Sequence, residues 1–394
     1  MSDVAVLGVG MHPWGKFGKS FIEYGRVAAR AALADAGIDW SEVQMVAGAN
    51  TWRGGYPGLV SGSTFAQALG WNGARISSSF AACASGSQAV NAARTHILSG
   101  LCDVALVVGA DTTPKGFFGP SGSDENDPDW LRFRLLGATN PTYFGLYAQR
   151  RVARYGATPE DFARVKAKNS RHGISNPNAR FRKIVTEEEV LASPYVSEPL
   201  HLLDVCATSD GAAAMVLTSV EYARRKSAGN PVRIKAVSTN TPVYPNDLIE
   251  MPNFATDSTV KVSAPELGFR RSIAAHAYAE AGLGPDDVDL AEVYDLSTAL
   301  ELDWYEDIGL CAPGEAEKLL LDGATELGGR VPVNASGGLA SFGEAVPAQA
   351  IAQMCELTTQ LRGDAGERQV DGARVGISVN QGLFGHGSAA ILAR

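Results

Sequence analysis

Ser77-Ser78-Ser79-Phe80-Ala81-Ala82-Cys83-Ala84-Ser85-Gly86-Ser87-Gln88-Ala89-Val90 sets one cysteine among small residues and then runs into a helical pattern. Ala89, Val90, Ala93, Ile97 and Leu98 share one apolar stripe at helical spacing. That spacing puts Cys83 at or just before a helix N-terminus. Free backbone N–H groups and the helix dipole favour a thiolate there and lower its pKa. A small buried cysteine is the competing reading, since the residue type is common in cores. The flanking Ala84-Ser85-Gly86-Ser87 favours a nucleophile, because a substrate-facing cysteine needs a closely packed helix start.

Outward from this segment, eight apolar runs bounded by turn residues read as buried strands: Val4–Val9, Val43–Ala47, Val104–Val108, Ala212–Leu217, Val232–Val237, Val288–Val293, Val375–Val379 and Ala389–Leu392. Helical patterns lie between many of them, which predicts an α/β fold with parallel pairing. Ala34-Asp35-Ala36-Gly37 followed by Glu42-Val43 recurs as Ala279-Glu280-Ala281-Gly282 followed by Asp287-Val288. Each copy is a helix end, a glycine cap, an acidic turn and a strand. Asp103–Gly109 likewise resembles Arg374–Val379. The repeat predicts a duplicated mononucleotide-like unit, about 1–230 and 231–394. An insertion at about 112–205 in the first copy, rich in Pro, Asn, Arg and charge, is expected to cover the site rather than form core.

The 394 residues are 45% hydrophobic and 20% charged, enough for a large core, and the net charge of -9 argues against general nucleic-acid binding. No apolar stretch reaches the length of a membrane span, and Met1-Ser2-Asp3 leads into Val4–Val9 without a secretion-signal pattern. Cys83, Cys102, Cys206, Cys311 and Cys355 are widely spaced and form no C-x-x-C pair. That pattern fits a reducing compartment and no metal site in this chain, so the expected location is cytoplasmic.

Cys83-Ala84-Ser85-Gly86-Ser87 resembles the nucleophile motif of thiolases, in particular of the sterol-carrier-protein-type branch with its lipid-transfer-protein relatives. Tyr155–Phe162, Lys168-Asn169-Ser170-Arg171-His172 and Asn176-Pro177 resemble that branch's loop-domain signature. Ser197–Leu200, Leu203–Cys206 and Ser209–Ala214 resemble its return into the core. Asn334-Ala335-Ser336-Gly337-Gly338-Leu339 resembles its Asn-x-x-Gly-Gly segment. The resemblance covers nearly the whole chain in order. It implies the thiolase fold: duplicated α/β halves, a five-layered αβαβα core and a loop-domain insertion.

The catalytic positions diverge. Where the family carries one histidine, this chain reads Glu292-Val293-Tyr294-Asp295, with Tyr294 in its slot. The Gly-His-Pro segment reads Gly343-Glu344-Ala345-Val346-Pro347, with Glu344 in the histidine slot. The late Cys-x-Gly segment reads Val379-Asn380-Gln381-Gly382. Of six histidines, only His386, in Gly385-His386-Gly387, falls in a segment that lines the active site in the resembled family. A histidine held in a tight glycine turn is the alternative there.

Losing both histidines removes general acid–base groups worth roughly 10²–10⁴-fold each, a severe loss for a Claisen cycle. A retro-aldol needs only a base for a β-hydroxyl and donors for a thioester enolate. Tyr294 and Glu344 are the proton-transfer candidates, and N–H groups near Cys83 and Gly385–Gly387 the candidate oxyanion donors. Asp295, Asn334, Gly337, Gly338 and Tyr244 are assigned to the substrate site. The alternatives for the main pair are a strand-end aromatic in the core (Tyr294) and a solvated helix-start acid (Glu344).

The pattern is similar to the steroid side-chain-cleaving aldolases, which also carry Tyr-Asp and Gly-Glu-Ala segments. That similarity implies a β-hydroxyacyl-CoA substrate, with coenzyme A as part of the substrate and no covalently bound cofactor. It also implies a zinc-ribbon/OB-fold partner subunit carrying the only zinc, a homodimer, and a heterotetramer with that partner. Those relatives place a tyrosine where this chain has Val346. The other readings are a Cys83-dependent thiolase or acyltransferase, and a non-catalytic acyl-CoA or lipid-binding protein.

Overall fold

The computed structural model describes residues 4–113, 140–226, 231–241, 268–382 and 386–394. Nine strands form one sheet: β1 (Val4–Gly15), β2 (Met45–Ala49), β3 (Arg75–Ser79), β4 (Val104–Asp111), β5 (Asp210–Ser219), β6 (Val232–Asn240), β7 (Leu290–Glu292), β8 (Val375–Gly382) and β9 (His386–Ala393). Their order is β3-β2-β4-β5-β1-β6-β9-β8-β7. β2, β4 and most of β5 are buried throughout, as strands covered on both faces must be.

The sheet has two halves of matching topology. From the centre outward, β1, β5, β4 and β2 pair antiparallel, antiparallel and parallel. β6, β9, β8 and β7 repeat the same sequence of pairings. Beyond β2 lies β3, and beyond β7 the parallel bridge Ala291↔Val333. The halves meet where Val4, Ala5 and Val6 pair with Ile234, Arg233 and Val232. The repeated sequence marks equivalent places. α1 (Phe21–Ala36) ends at Gly37 with φ +63°, and α6 (Phe269–Ala281) ends at Gly282 with φ +69°. Each then turns into a strand, β2 or β7.

All eight expected strands are present, but the pairing is mixed rather than parallel. The short connection over 383–385 leaves no room for the crossover a parallel pair requires. β3 was not expected; its Arg75-Ile76-Ser77-Ser78-Ser79 is a polar, partly exposed edge strand with no apolar signal.

Helices complete an α–β–α–β–α stack. α1 and α2 (Ser61–Leu69) cover the outer face of the first half. α3 (Ser85–Leu98) and α8 (Gln349–Arg362) lie between the halves and touch strands of both. α6 covers β6 and β9, and α7 (Thr298–Asp307) packs against it. α8 is buried on almost every face, as its central place demands.

The insertion contributes core, which corrects the expectation of a mere cover. Its helices α4 (Asn140–Tyr155) and α5 (Pro159–Gly173) pack on α7, and Phe162 and Val165 join the same cluster as Trp304 and Ile377. Thr158 and Asp161 form a capping box with Pro159 at the first helical position, so α5 starts sharply. No helix among the described residues is long and apolar enough to cross a membrane.

Candidate active site

Cys83 sits two residues before α3, on a loop whose Ala82 has φ +49°. A left-handed alanine costs about 1 kcal/mol or more, so the surrounding packing must hold it. Gly382 of β8 presses on this loop: a Cβ there would lie 2.3 Å from the Ala81 carbonyl oxygen. The helix start is where the sequence put it. Burial and the neighbouring Glu344 carboxylate push the Cys83 pKa up, against the pull of Tyr294 and Arg53.

Tyr294 follows β7 and is fully buried. Its hydroxyl donates to Glu344 Oε1, and the Cys83 thiol lies within hydrogen-bonding reach of both side chains. Glu344 is 1% exposed, so it is not the solvated acid of the alternative reading. Its backbone is pinned on both sides: its N–H donates to Ala207 O at 2.7 Å, and Ser209 N–H donates to its carbonyl at 2.8 Å. Burial raises the Glu344 pKa despite hydrogen bonds from Cys83 and Tyr294 that lower it. Burial also lifts Tyr294 well above the ordinary phenol value, and Cys83 and Glu344 add to it. Tyr294 therefore acts toward Glu344 as a donor.

Asn334, Asp295, Gly337 and Gly338 form a scaffold behind this group. The Asn334 amide makes two of its hydrogen bonds to protein: Oδ1 accepts from Val293 N–H at 2.8 Å, and Nδ2 donates to Glu301 at 2.7 Å. It thereby fixes the chain one residue before Tyr294. Asp295 accepts from Leu339 N–H at 2.8 Å, Ala340 N–H at 3.1 Å and Asn169 Nδ2 at 3.1 Å. Burial, with the Glu301 charge second, holds its pKa up at about 8. Gly337 and Gly338 have φ of +97° and +57°, and a Cβ on Gly338 would meet the Asp295 carboxylate at 2.5 Å. Between them these contacts fix the turn that leads to Glu344.

His386 opens β9 opposite Gly382, one strand from the Cys83 loop, and Gly387 pairs with Gln381 and Asn240 inside the sheet. Tyr244 and Gly385 lie outside the described residues. His96 and His276 bond carbonyls of their own helices, Ala92 O and Ser272 O.

Arg53, Asp111 and Cys206 were not among the expected site residues. Arg53, on a Trp-Arg-Gly-Gly loop, has a buried side chain paired with Asp111 at the end of β4, and its charge acts on both Cys83 and Glu344. Asp111 also accepts from Thr51 and Thr113, at 2.9 and 3.0 Å. Cys206 is buried where the Glu344 and Asp295 charges act on it, and a cavity of about 800 Å³ reaches Cys206 and Ala207. A terminal acid on a buried strand was the one clue available for Asp111.

The thiolase N-terminal domain family matches residues 4–221, and the thiolase C-terminal domain-like family residues 257–394. Sterol carrier protein 2 of Bos taurus is 32% identical over 396 residues, covering 97% of this chain and 70% of that protein. An acetyl-CoA acetyltransferase of Methanothermobacter thermautotrophicus is 33% identical over 395 residues, covering 99% of each. Among solved structures, an Ltp2-ChsH2(DUF35) aldolase superposes with TM-score 0.81 at 28% identity, covering 100% of this chain and 98% of that one.

Proposed function

The chain belongs to the thiolase superfamily of acyl-CoA enzymes, in its sterol-carrier-protein-type thiolase-like branch, and from that premise we propose that it is a carbon–carbon lyase cleaving a β-hydroxyacyl-CoA. The observation that carries this reading is the buried Tyr294–Glu344 hydrogen bond beside Cys83. A carboxylate with a raised pKa, joined to a neutral phenol, is suited to take a proton and return it.

In the proposed cycle Glu344, through Tyr294, takes the β-hydroxyl proton. The alkoxide pair becomes a carbonyl as the Cα–Cβ bond breaks, and that bond's electrons pass into the thioester enolate. The proton then returns through Tyr294 to Cα, leaving a shorter acyl-CoA and a ketone or aldehyde. No covalent bond to Cys83 is needed. A steroid side chain is the acyl group that the family pattern suggests.

A Cys83-dependent acyltransferase is the second reading, favoured by the acetyltransferase relative at 33% identity. Against it stands the raised pKa of Cys83, whose thiol is acted on by a carboxylate and a phenol. Cys83→Ala separates the two. Cleavage of a β-hydroxyacyl-CoA is expected to survive within about tenfold, since no acid–base group of the proposed pair is removed. Loss of all turnover in Cys83→Ala, with acyl transfer from a β-ketoacyl-CoA in the wild type, would assign the chemistry to the cysteine.

A homodimer through the free edge of β3 is proposed with it. Ile76, Trp71 and Phe80 are 53%, 65% and 44% exposed beside a strand edge that is unpaired among the described residues, a combination that monomers avoid. Ile76→Asp is expected to convert a dimer to a monomer in light scattering; a wild-type monomer at micromolar concentration excludes it. A DUF35-type zinc-ribbon/OB-fold subunit is the proposed partner, on the strength of the aldolase that superposes.

A further inference from the structure

Lys166 of α5 is buried on the wall of the 800 Å³ cavity that reaches Cys206 and Ala207. Its ammonium donates to the Ala340 carbonyl at 2.6 Å. Among the described residues it has no ion-pair partner. Lys168, two residues further along the same helix and so on a different face, shows the contrast: it is bonded to Glu301 at 2.7 Å, Val333 O at 2.9 Å and Tyr305 at 3.2 Å.

The acidic groups near Lys166 are committed elsewhere. Asp295 takes its three N–H donors. Asp204 accepts from His201 N–H at 2.9 Å and Thr298 Oγ1 at 3.0 Å. Asp295, Cys206 and Asp204 act on the amine from a distance, and burial outweighs them, so its pKa falls below that of a free lysine. A buried cation without a counter-charge is destabilising, and folding alone gives no reason to keep one.

The rest of the cavity wall is mainly apolar, with Val205, Leu203, Leu202, Val185 and Phe181, and its other two charged residues, Lys183 and Glu189, pair with each other at 2.9 Å. Its volume suits a small-molecule ligand. Apolar walls fit a hydrocarbon body better than a nucleotide, and Lys166, the lysine of this wall with no carboxylate partner among the described residues, fits one anionic oxygen.

We infer that this cavity receives the acyl group of the thioester and that Lys166 pairs with a carboxylate carried on it, selecting carboxylated apolar acyl-CoAs. The inference rests on the acyl-CoA reading above but not on the cleavage step. Ala207, whose carbonyl accepts from the Glu344 N–H at 2.7 Å, also lines the cavity, which sets the cavity beside the backbone that carries Glu344.

The test is calorimetric binding to the purified full-length chain with its partner subunit. The probes are free CoA and two acyl-CoAs of equal length, one ending in a carboxylate and one in a methyl group. The wild type is expected to bind the carboxylated probe at least about tenfold more tightly, the scale of one charge-assisted contact. Lys166→Met keeps the length of the side chain. It should abolish that preference, leave free CoA binding unchanged and leave the melting temperature equal or higher. A preference that survives Lys166→Met overturns the inference. So does weaker binding of free CoA, which moves the amine to the CoA arm, and so does a lower melting temperature, which makes the amine structural. Because the readout is binding, a failure of the lyase reading appears separately, in turnover.

Discussion

Tyr294→Phe is expected to lower the rate of β-hydroxyacyl-CoA cleavage by about 10²–10⁴-fold, the range for one positioned proton-transfer group. The substitution deletes one hydroxyl from a fully buried ring and leaves the ring's packing intact. It also leaves Glu344 without the phenol that donates to it, removing one of the bonds that hold its pKa down. Binding of the acyl-CoA should change by only severalfold, so the loss falls on kcat rather than KM. Single-turnover rates with matched melting curves check this. Tyr294→Phe with near wild-type kcat would return Tyr294 to the core-packing role that its burial also allows.

Glu344→Gln should be at least as damaging, and its pH behaviour is more diagnostic. In the wild type the base must be ionised, and burial has raised its pKa, so cleavage should rise with pH through that raised value. The rise should be absent from whatever activity the Gln variant retains. Stability should move in the opposite sense. A carboxyl whose folded pKa lies above its unfolded value binds its proton more tightly when folded. Between the two values the native state therefore holds more protons, and stability falls as pH rises through that window. Glu344→Gln removes this decline, so the variant should melt higher than the wild type above the Glu344 pKa. Melting temperature and kcat/KM measured over the same pH series test both halves. A wild-type rate that is flat with pH, or a variant that melts lower throughout, would contradict the assignment of Glu344 as the buried base.

Much of the architecture was legible because burial on both faces leaves continuous apolar runs, as in Val104–Val108 and Ala212–Leu217. Gly37 and Gly282 marked the duplication, since a left-handed helix cap restricts what can replace glycine. β3 was not legible, because an edge strand of serines has neither alternation nor an apolar run. The site was legible where a motif changed residue type: Tyr294 and Glu344 stand in slots that fix their position along the chain. What the motif could not tell was which side chains face substrate and which hold the backbone. Asn334 and Asp295 look as chemical as Tyr294 in sequence, yet their hydrogen bonds are spent on Val293, Glu301 and the Leu339–Ala340 turn. For Cys83 the helix start is visible in sequence, but the burial and the carboxylate that raise its pKa come from residues far along the chain.

The claim that the Tyr294–Glu344 pair carries the chemistry, and that Cys83 marks the family without bonding to substrate, has one direct test. The wild-type chain, alone and with the proposed DUF35-type subunit, is mixed with a β-hydroxyacyl-CoA, quenched during turnover and weighed by intact-mass spectrometry while the released ketone or aldehyde is measured. The account predicts stoichiometric carbonyl product with the mass of the chain unchanged. A mass gain equal to the acyl group, present during turnover and absent from Cys83→Ala, would contradict it.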